Sequence, residues 1–180
     1  MPEWVGALVD WDHAYETDVA KMKLAVSLSA HNVEQGTGGP FGAVVFRTDT
    51  NRVVAAGVNG VARERNSVMH AEVLALMLAE QAVGAYSLQG EGRPAHELVT
   101  SCDPCAMCLG AILWSGVTRV VCGASREDAN RIGFDEGPVF PESYRYLETR
   151  GIMVVHGVLR AEAGAVLDAY GTGGGLIYNG

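Results

Sequence analysis

Two short stretches constrain what this chain can fold into more than anything else in it: His70-Ala71-Glu72 and, further along, Pro104-Cys105-Ala106-Met107-Cys108. Each stands at the head of a run with helical apolar spacing, so a fold that uses both must bring two helix N-termini together. Helix N-termini favour thiolates through the macrodipole. One imidazole and two thiolates make three ligands of a tetrahedral zinc and leave the fourth position for water, whereas structural sites are usually closed by a fourth protein ligand. His70, Cys105 and Cys108 are therefore the candidate ligands of one zinc per chain. A structural metal, or a buried histidine among core cysteines, would explain a lone C-x-x-C equally well. The upstream H-A-E, at its own helix start, tips the balance toward a catalytic centre.

Glu72 lies two residues beyond the first ligand and so projects in another direction around its helix. A carboxylate there can take a proton from attacking water and deliver it to a ring nitrogen. H-x-E followed by P-C-x-x-C is the signature of zinc base deaminases.

The rest of the composition sets the background. At 180 residues, one domain can bury roughly 70 per cent of its unfolded surface and needs no disulfide staples. The cysteines Cys102, Cys105, Cys108 and Cys122 therefore read as metal-binding or core thiols of a reducing compartment. A net charge of −8 disfavours nucleic acid, whose binding rests on basic side chains. No apolar run approaches the ~20 residues of a membrane span, and the N-terminus does not read as a secretory signal. A cytoplasmic location is the expectation.

Apolar periodicity predicts a helix within residues 12–35, a β-hairpin over 41–47 and 53–57, and a helix over 70–81. A short strand follows at 98–100, then a helix at 105–114, strands at 119–122 and 153–158, and a helix at 161–170. Strands alternating with helices imply an α/β fold whose sheet has parallel stretches and one antiparallel hairpin.

G-G-P-F-G-A-V at 38–44, H-A-E-V at 70–73, T-S-C-D-P-C-A-M-C-L-G-A at 100–111 and G-F-D-E at 133–136 resemble, in the same order, the guanine deaminase branch of the cytidine-deaminase-like superfamily. The resemblance implies a three-layer α-β-α domain over residues 1–180, with a mixed sheet of about five strands. It implies hydrolytic deamination of a small heterocyclic base and a homodimer with C-terminal elements exchanged between protomers. The tail, with Gly151-Ile152 and Leu176 to Asn179, is similar to a bacterial subgroup that also accepts ammeline. The tripeptide Ser67-Val68-Met69 before His70 departs from many guanine deaminases.

Further site residues follow from the resemblance. Asn59 matches a substrate-binding asparagine, although an asparagine in V-N-G can simply hold a turn. Phe41 is a candidate to stack on the ring, or a core residue at a strand start. The backbone N–H groups of Ala71 and Cys105, at helix starts, could meet a polar atom of the substrate. Glu136 is the favoured second carboxylate and Asp135 the alternative, against a solvated loop with no role; Phe134 should anchor that loop inward. The tail 171–180 begins with Gly-Thr-Gly-Gly-Gly, which reads as a hinge, so Leu176 to Asn179 is either a lid bringing Tyr178 to the ring or a frayed end. Cys102, Cys122 and the other four histidines read as buried thiols and as surface or satisfied core histidines. A nucleoside or tRNA adenosine or cytidine deaminase, and a zinc-stabilised binding protein, are the competing functions.

Overall fold

The computed structural model describes residues 1–179; Gly180, the last residue of the tail, lies outside the described residues. Helix α1 (Glu3–Leu8) precedes the long helix α2 (Asp18–Glu34), whose start is capped by the Thr17 hydroxyl accepting from the Ala20 N–H at 3.1 Å. The hairpin β1 (Gly42–Arg47) and β2 (Val53–Val58) follows, then the single turn α3 (Val61–Glu64) and helix α4 (Ala71–Val83). Strand β3 (His96–Cys102), α5 (Ala106–Ser115) and β4 (Arg119–Ala124) follow, with β3 and β4 paired in parallel. The short helices α6 (Arg126–Arg131) and α7 (Pro141–Thr149), strand β5 (Met153–Val155) and α8 (Arg160–Thr172) complete the chain.

The five strands form one sheet in the order β2-β1-β3-β4-β5. β1 runs antiparallel to both β2 and β3, while β3, β4 and β5 are parallel. The mixed three-layer α/β architecture is thus the one expected, with a second antiparallel pairing beyond the hairpin. Alternation along β1 assigns the layers: Ala43 and Val45 face the cluster built with α4 and α5, and Val44 and Phe46 face the one built with α2. Met22, Leu28 and Phe46 are wholly buried there, each contributing about 1.5–3 kcal/mol. Helix α8 joins α2 on that side through Ala163 and Leu167, which pack on Cys102 and Ala124.

Two glycine contacts draw helices onto the sheet. A Cβ at Gly42 would collide with α2, at 2.5 Å from the Ala25 carbonyl oxygen. One at Gly57 would run into the carbonyl of Ala71, so the first residue of α4 sits directly on β2. That contact fixes where the H-A-E triplet emerges.

Some elements differ from the sequence expectation. β3 is longer than 98–100 because all seven of its residues are buried, with none marking an end. β5 stops at Val155 because it is an edge strand, with Met153 60% exposed. Helices α1, α3, α6 and α7 were not expected, and α8 continues through Gly171 and Thr172 into the anticipated hinge. Among the described residues, no helix is long and apolar enough to cross a membrane.

Candidate active site

His70 is the N-cap of α4 and Cys105 the N-cap of α5, and neither makes a capping hydrogen bond with its side chain. Both side chains are therefore free to turn toward each other. The His70 Nδ1 lies 3.5 Å from the Cys105 Sγ and 3.6 Å from the Cys108 Sγ. The three donor atoms fall within 4.8 Å of one another, and the soft sulfurs with an imidazole nitrogen are a donor set suited to zinc. The residues present fit a zinc ion.

The Cys105 thiol is pulled down to about 4, first by its hydrogen bond with Cys108 and then, against the cost of burial, by His70. It therefore stands as the thiolate a metal requires. Glu72, the second residue of α4, is only 6% exposed; burial pushes its carboxyl up, and the neighbouring Cys105 charge adds to the shift. Glu136 is 9% exposed, and its carboxyl is pushed up to about 8 by burial first, then by Cys105 and Glu72. Its backbone carbonyl accepts from the Ala106 N–H at 3.0 Å, which ties the 133–138 loop to the start of α5.

These groups line a single cavity of about 160 Å³, together with Phe41, Asn59 and Tyr178. Asn59 is buried. Its Oδ1 accepts from the Val61 N–H at 3.2 Å, while its Nδ2 has no partner within the protein. One end of the amide thus holds the turn, and the other is left without a protein partner. Phe41 lines the cavity and meets Phe134 edge-on at 5.1 Å. Ala71 is wholly buried in the core, and the cavity wall is formed by its neighbours His70 and Glu72 instead.

The two acidic loop residues differ sharply. Asp135 is exposed, and its Oδ1 accepts from the Gly137 N–H at 2.9 Å, an Asx-type turn. Glu136 points inward, and Phe134 anchors the loop as expected, 6% exposed.

The tail lies against its own chain. Asn179 accepts from the Asp135 N–H at 2.8 Å and donates to the Gly133 carbonyl at 2.7 Å. Tyr178 packs edge-on against Phe134 at 5.0 Å, and its hydroxyl is buried without a partner. Burial raises the Tyr178 phenol above its ordinary value. Asp135 and Asn179, the latter from the tail considered as a lid, also line the cavity, as do Val61, Ser67 and Asp103, which were unanticipated as site residues. Ser67 is where the sequence departs from many guanine deaminases, and Asn179 stood in the tail motif already noted.

His156 has a partner: its Nδ1 lies 2.8 Å from the Asp103 carboxylate, with Cys122 close by. Asp103 also accepts from the Arg126 N–H at 3.3 Å, so this grouping braces the loop that carries Cys105.

A fold that gathers an imidazole, two thiols and two buried carboxylates at and beside one small cavity defines a zinc-dependent hydrolase of the deaminase class. Residues 15–124 match the family described as the cytidine and deoxycytidylate deaminase zinc-binding region. A guanine deaminase of Bacillus subtilis is 39% identical over 131 residues, 73% of this chain and 80% of its own length. A solved structure of the guanine deaminase from Nitrosomonas europaea superposes with a TM-score of 0.91 at 41% identity, over 96% of this chain and 94% of that one. A tRNA-specific adenosine deaminase of Bacillus subtilis is 31% identical over 153 residues, 85% of this chain and 88% of its own length. The chain belongs to the cytidine and deoxycytidylate deaminase zinc-binding family, in its guanine deaminase branch.

Proposed function

We propose that this chain deaminates a free heterocyclic base, converting guanine and water to xanthine and ammonia, with ammeline as a second candidate substrate. The observation that carries this reading is the pairing of two buried carboxylates, Glu72 and Glu136, with the unpartnered Asn59 Nδ2 in one cavity beside the His70, Cys105 and Cys108 donors. A cavity of about 160 Å³ is well below the roughly 300–1,000 Å³ of sites for drug-sized ligands, which suits a base better than a nucleoside. The net charge of −8 argues further against tRNA. The branch to which the chain belongs points the same way, and the guanine deaminases of Bacillus subtilis and Nitrosomonas europaea are 39% and 41% identical to it, against 31% for the tRNA-specific adenosine deaminase.

One zinc per chain would be held by His70, Cys105 and Cys108. When bound, it supplies a Lewis acid that makes water a better nucleophile at neutral pH. Glu72 accepts the proton of the attacking water and passes it to a ring nitrogen. Glu136, whose raised pKa keeps it protonated near neutrality, delivers a proton to the departing amino group. Asn59 donates from Nδ2 to a ring acceptor, and Phe41, Phe134 and Tyr178 wall the ring against water. Two copies of the chain would form a homodimer, and an exchange of tails in the manner of a domain swap would carry the Tyr178 and Asn179 contacts seen within this chain across to the partner. Four free, buried thiols suit a cytoplasmic setting.

Ammonia release from guanine, ammeline, cytosine, cytidine and adenosine tests the proposal. Turnover of guanine or ammeline alone is expected; preference for cytidine or adenosine would reject the free-base reading, and no turnover of any would leave a zinc-stabilised binding protein.

A further inference from the structure

A chain of directional hydrogen bonds runs from the N-terminal helix to the backbone of Asn59. The indole N–H of Trp4, on α1, donates to the Thr37 hydroxyl at 3.2 Å. With its oxygen engaged, Thr37 gives its own hydrogen to the Asn32 Oδ1 at 2.7 Å. This fixes the Asn32 amide: its Nδ2 faces two carbonyls and donates to Gly39 at 2.8 Å and to Asn59 at 2.9 Å. Asn32 is wholly buried, and successive bonds of this kind polarise and strengthen one another. Arg63 of α3 clamps the same turn from outside, donating to the Thr37 carbonyl at 2.7 Å. There is no slack in the assembly, because a Cβ at Gly38 would collide with the Asn59 carbonyl and with Asn32.

Both carbonyls held by Asn32 belong to residues that shape the cavity. Asn59 presents its Nδ2 there, and Gly39 is the surface on which the Tyr178 hydroxyl rests. Helix α1, which ends at Leu8, lies before the part of the chain that matches the family, which begins at residue 15.

We infer that Trp4, Thr37 and Asn32 are positioning residues that set the affinity for the base by fixing the Asn59 amide and the Gly39 seat of the tail. This rests on the proposed role of Asn59 in holding the ring. The relay touches none of the groups that move protons, so it acts on substrate binding in ground and transition states alike. Its loss should therefore raise KM and leave kcat nearly unchanged.

The test uses Asn32→Asp, Trp4→Phe, Thr37→Val and Asn59→Ala in the full-length, zinc-loaded protein. Asn32→Asp removes both donors and sets a carboxylate oxygen against two carbonyls; KM for guanine should rise about tenfold or more, with kcat within about threefold. Trp4→Phe and Thr37→Val break one link each in half-buried positions and should raise KM about two- to fivefold. In an Asn59→Ala background, the effect of Asn32→Asp should shrink, because the two act through one contact. A purely structural role would lower the melting temperature of these variants without splitting KM from kcat. If Asn59→Ala raises KM while the folded relay variants leave it unchanged, the relay inference is wrong and the reading of Asn59 stands. If Asn59→Ala itself leaves KM unchanged, the site reading falls and takes the relay with it. Should Asn32→Asp fail to fold, Trp4→Phe and Thr37→Val decide the matter.

Discussion

Gly39 and Tyr178 meet so closely that a Cβ on Gly39 would occupy the space of the Tyr178 hydroxyl. The glycine lies at the turn entering β1 and the tyrosine three residues past the glycine run that follows α8, so only the folded tail brings them together. The same hydroxyl is buried and has no hydrogen-bond partner, an arrangement that costs free energy unless a ligand supplies one.

Gly39→Ala should therefore unseat Tyr178. We expect kcat/KM on guanine to fall about tenfold or more, matching the effect of deleting residues 176–180, with zinc content unchanged. Steady-state kinetics on both variants check this. Unaltered values in both would mean that the tail is a bystander.

Cys105→Ala should leave the purified protein without its zinc, measured as metal per chain by elemental analysis. Two remaining donors cannot reproduce a three-ligand site, and His70 and Cys108 would hold the ion far more weakly. Full metal content in this variant would overturn the ligand assignment.

Glu72→Gln should keep both fold and zinc and lose about 10²–10⁴-fold in kcat, the usual worth of a positioned proton-transfer group. The amide preserves shape in a side chain only 6% exposed, so lost turnover reads on proton transfer. A drop below about tenfold would remove Glu72 from that role.

Helices α2, α4, α5 and α8 were legible because each carries apolar residues at helical spacing, and α4 and α5 close on glycines in the left-handed conformation, Gly84 and Gly116. The four shorter helices span too few turns for a stripe to stand out: α1 offers Trp4, Val5 and Leu8, and α7 offers Tyr144 and Leu147. For two of them the missed signal was local: Ser125 and Asp128 form a capping box at α6, and Pro141 opens α7. The metal-donor triplet was readable because its spacing is set by two helix starts. Asn32 and Asn179 were not, since their partners in the site lie 7 and 27, and 44 and 46, residues away. Only the closed sheet and the folded tail create those contacts.

Asp128 ties α6 to α8. Its carboxylate pairs with Arg160 and Arg131, each at 2.8 Å, and Arg160 foremost holds its pKa far below the ordinary aspartate value. Because the folded value lies below the unfolded one, the stabilisation is complete above about pH 4 and is lost as pH falls toward the folded value. Asp128→Asn should accordingly lower the melting temperature by a few degrees at pH 7, with the gap to the parent narrowing below about pH 4. Thermal melts across that range check it; a gap independent of pH would show that the ion pairs contribute nothing and that only the cap matters.

Glu136 and Asp135 stand side by side on one loop and both line the cavity, yet only Glu136 is buried, with its carboxyl raised to about 8. Asp135 spends its Oδ1 on the Gly137 N–H. In the proposed reaction the amino group must gain a proton before it leaves, and Glu72 has by then given the water proton to the ring nitrogen and is again a carboxylate. Glu136, protonated near neutrality, is placed to give that proton. Glu136→Gln should cut kcat/KM strongly on guanine and ammeline, by about 10²-fold or more, with zinc and folding intact. Asp135→Asn should cost less than about threefold. An acid of this kind also bends the pH profile: activity falls as Glu136 loses its proton, and bound zinc, by neutralising the Cys105 charge, draws that limb below 8. The residual activity of Glu136→Gln should lack the limb. A loss confined to Asp135→Asn would exchange the two roles, and full activity in both variants would leave Glu72 as the sole proton carrier.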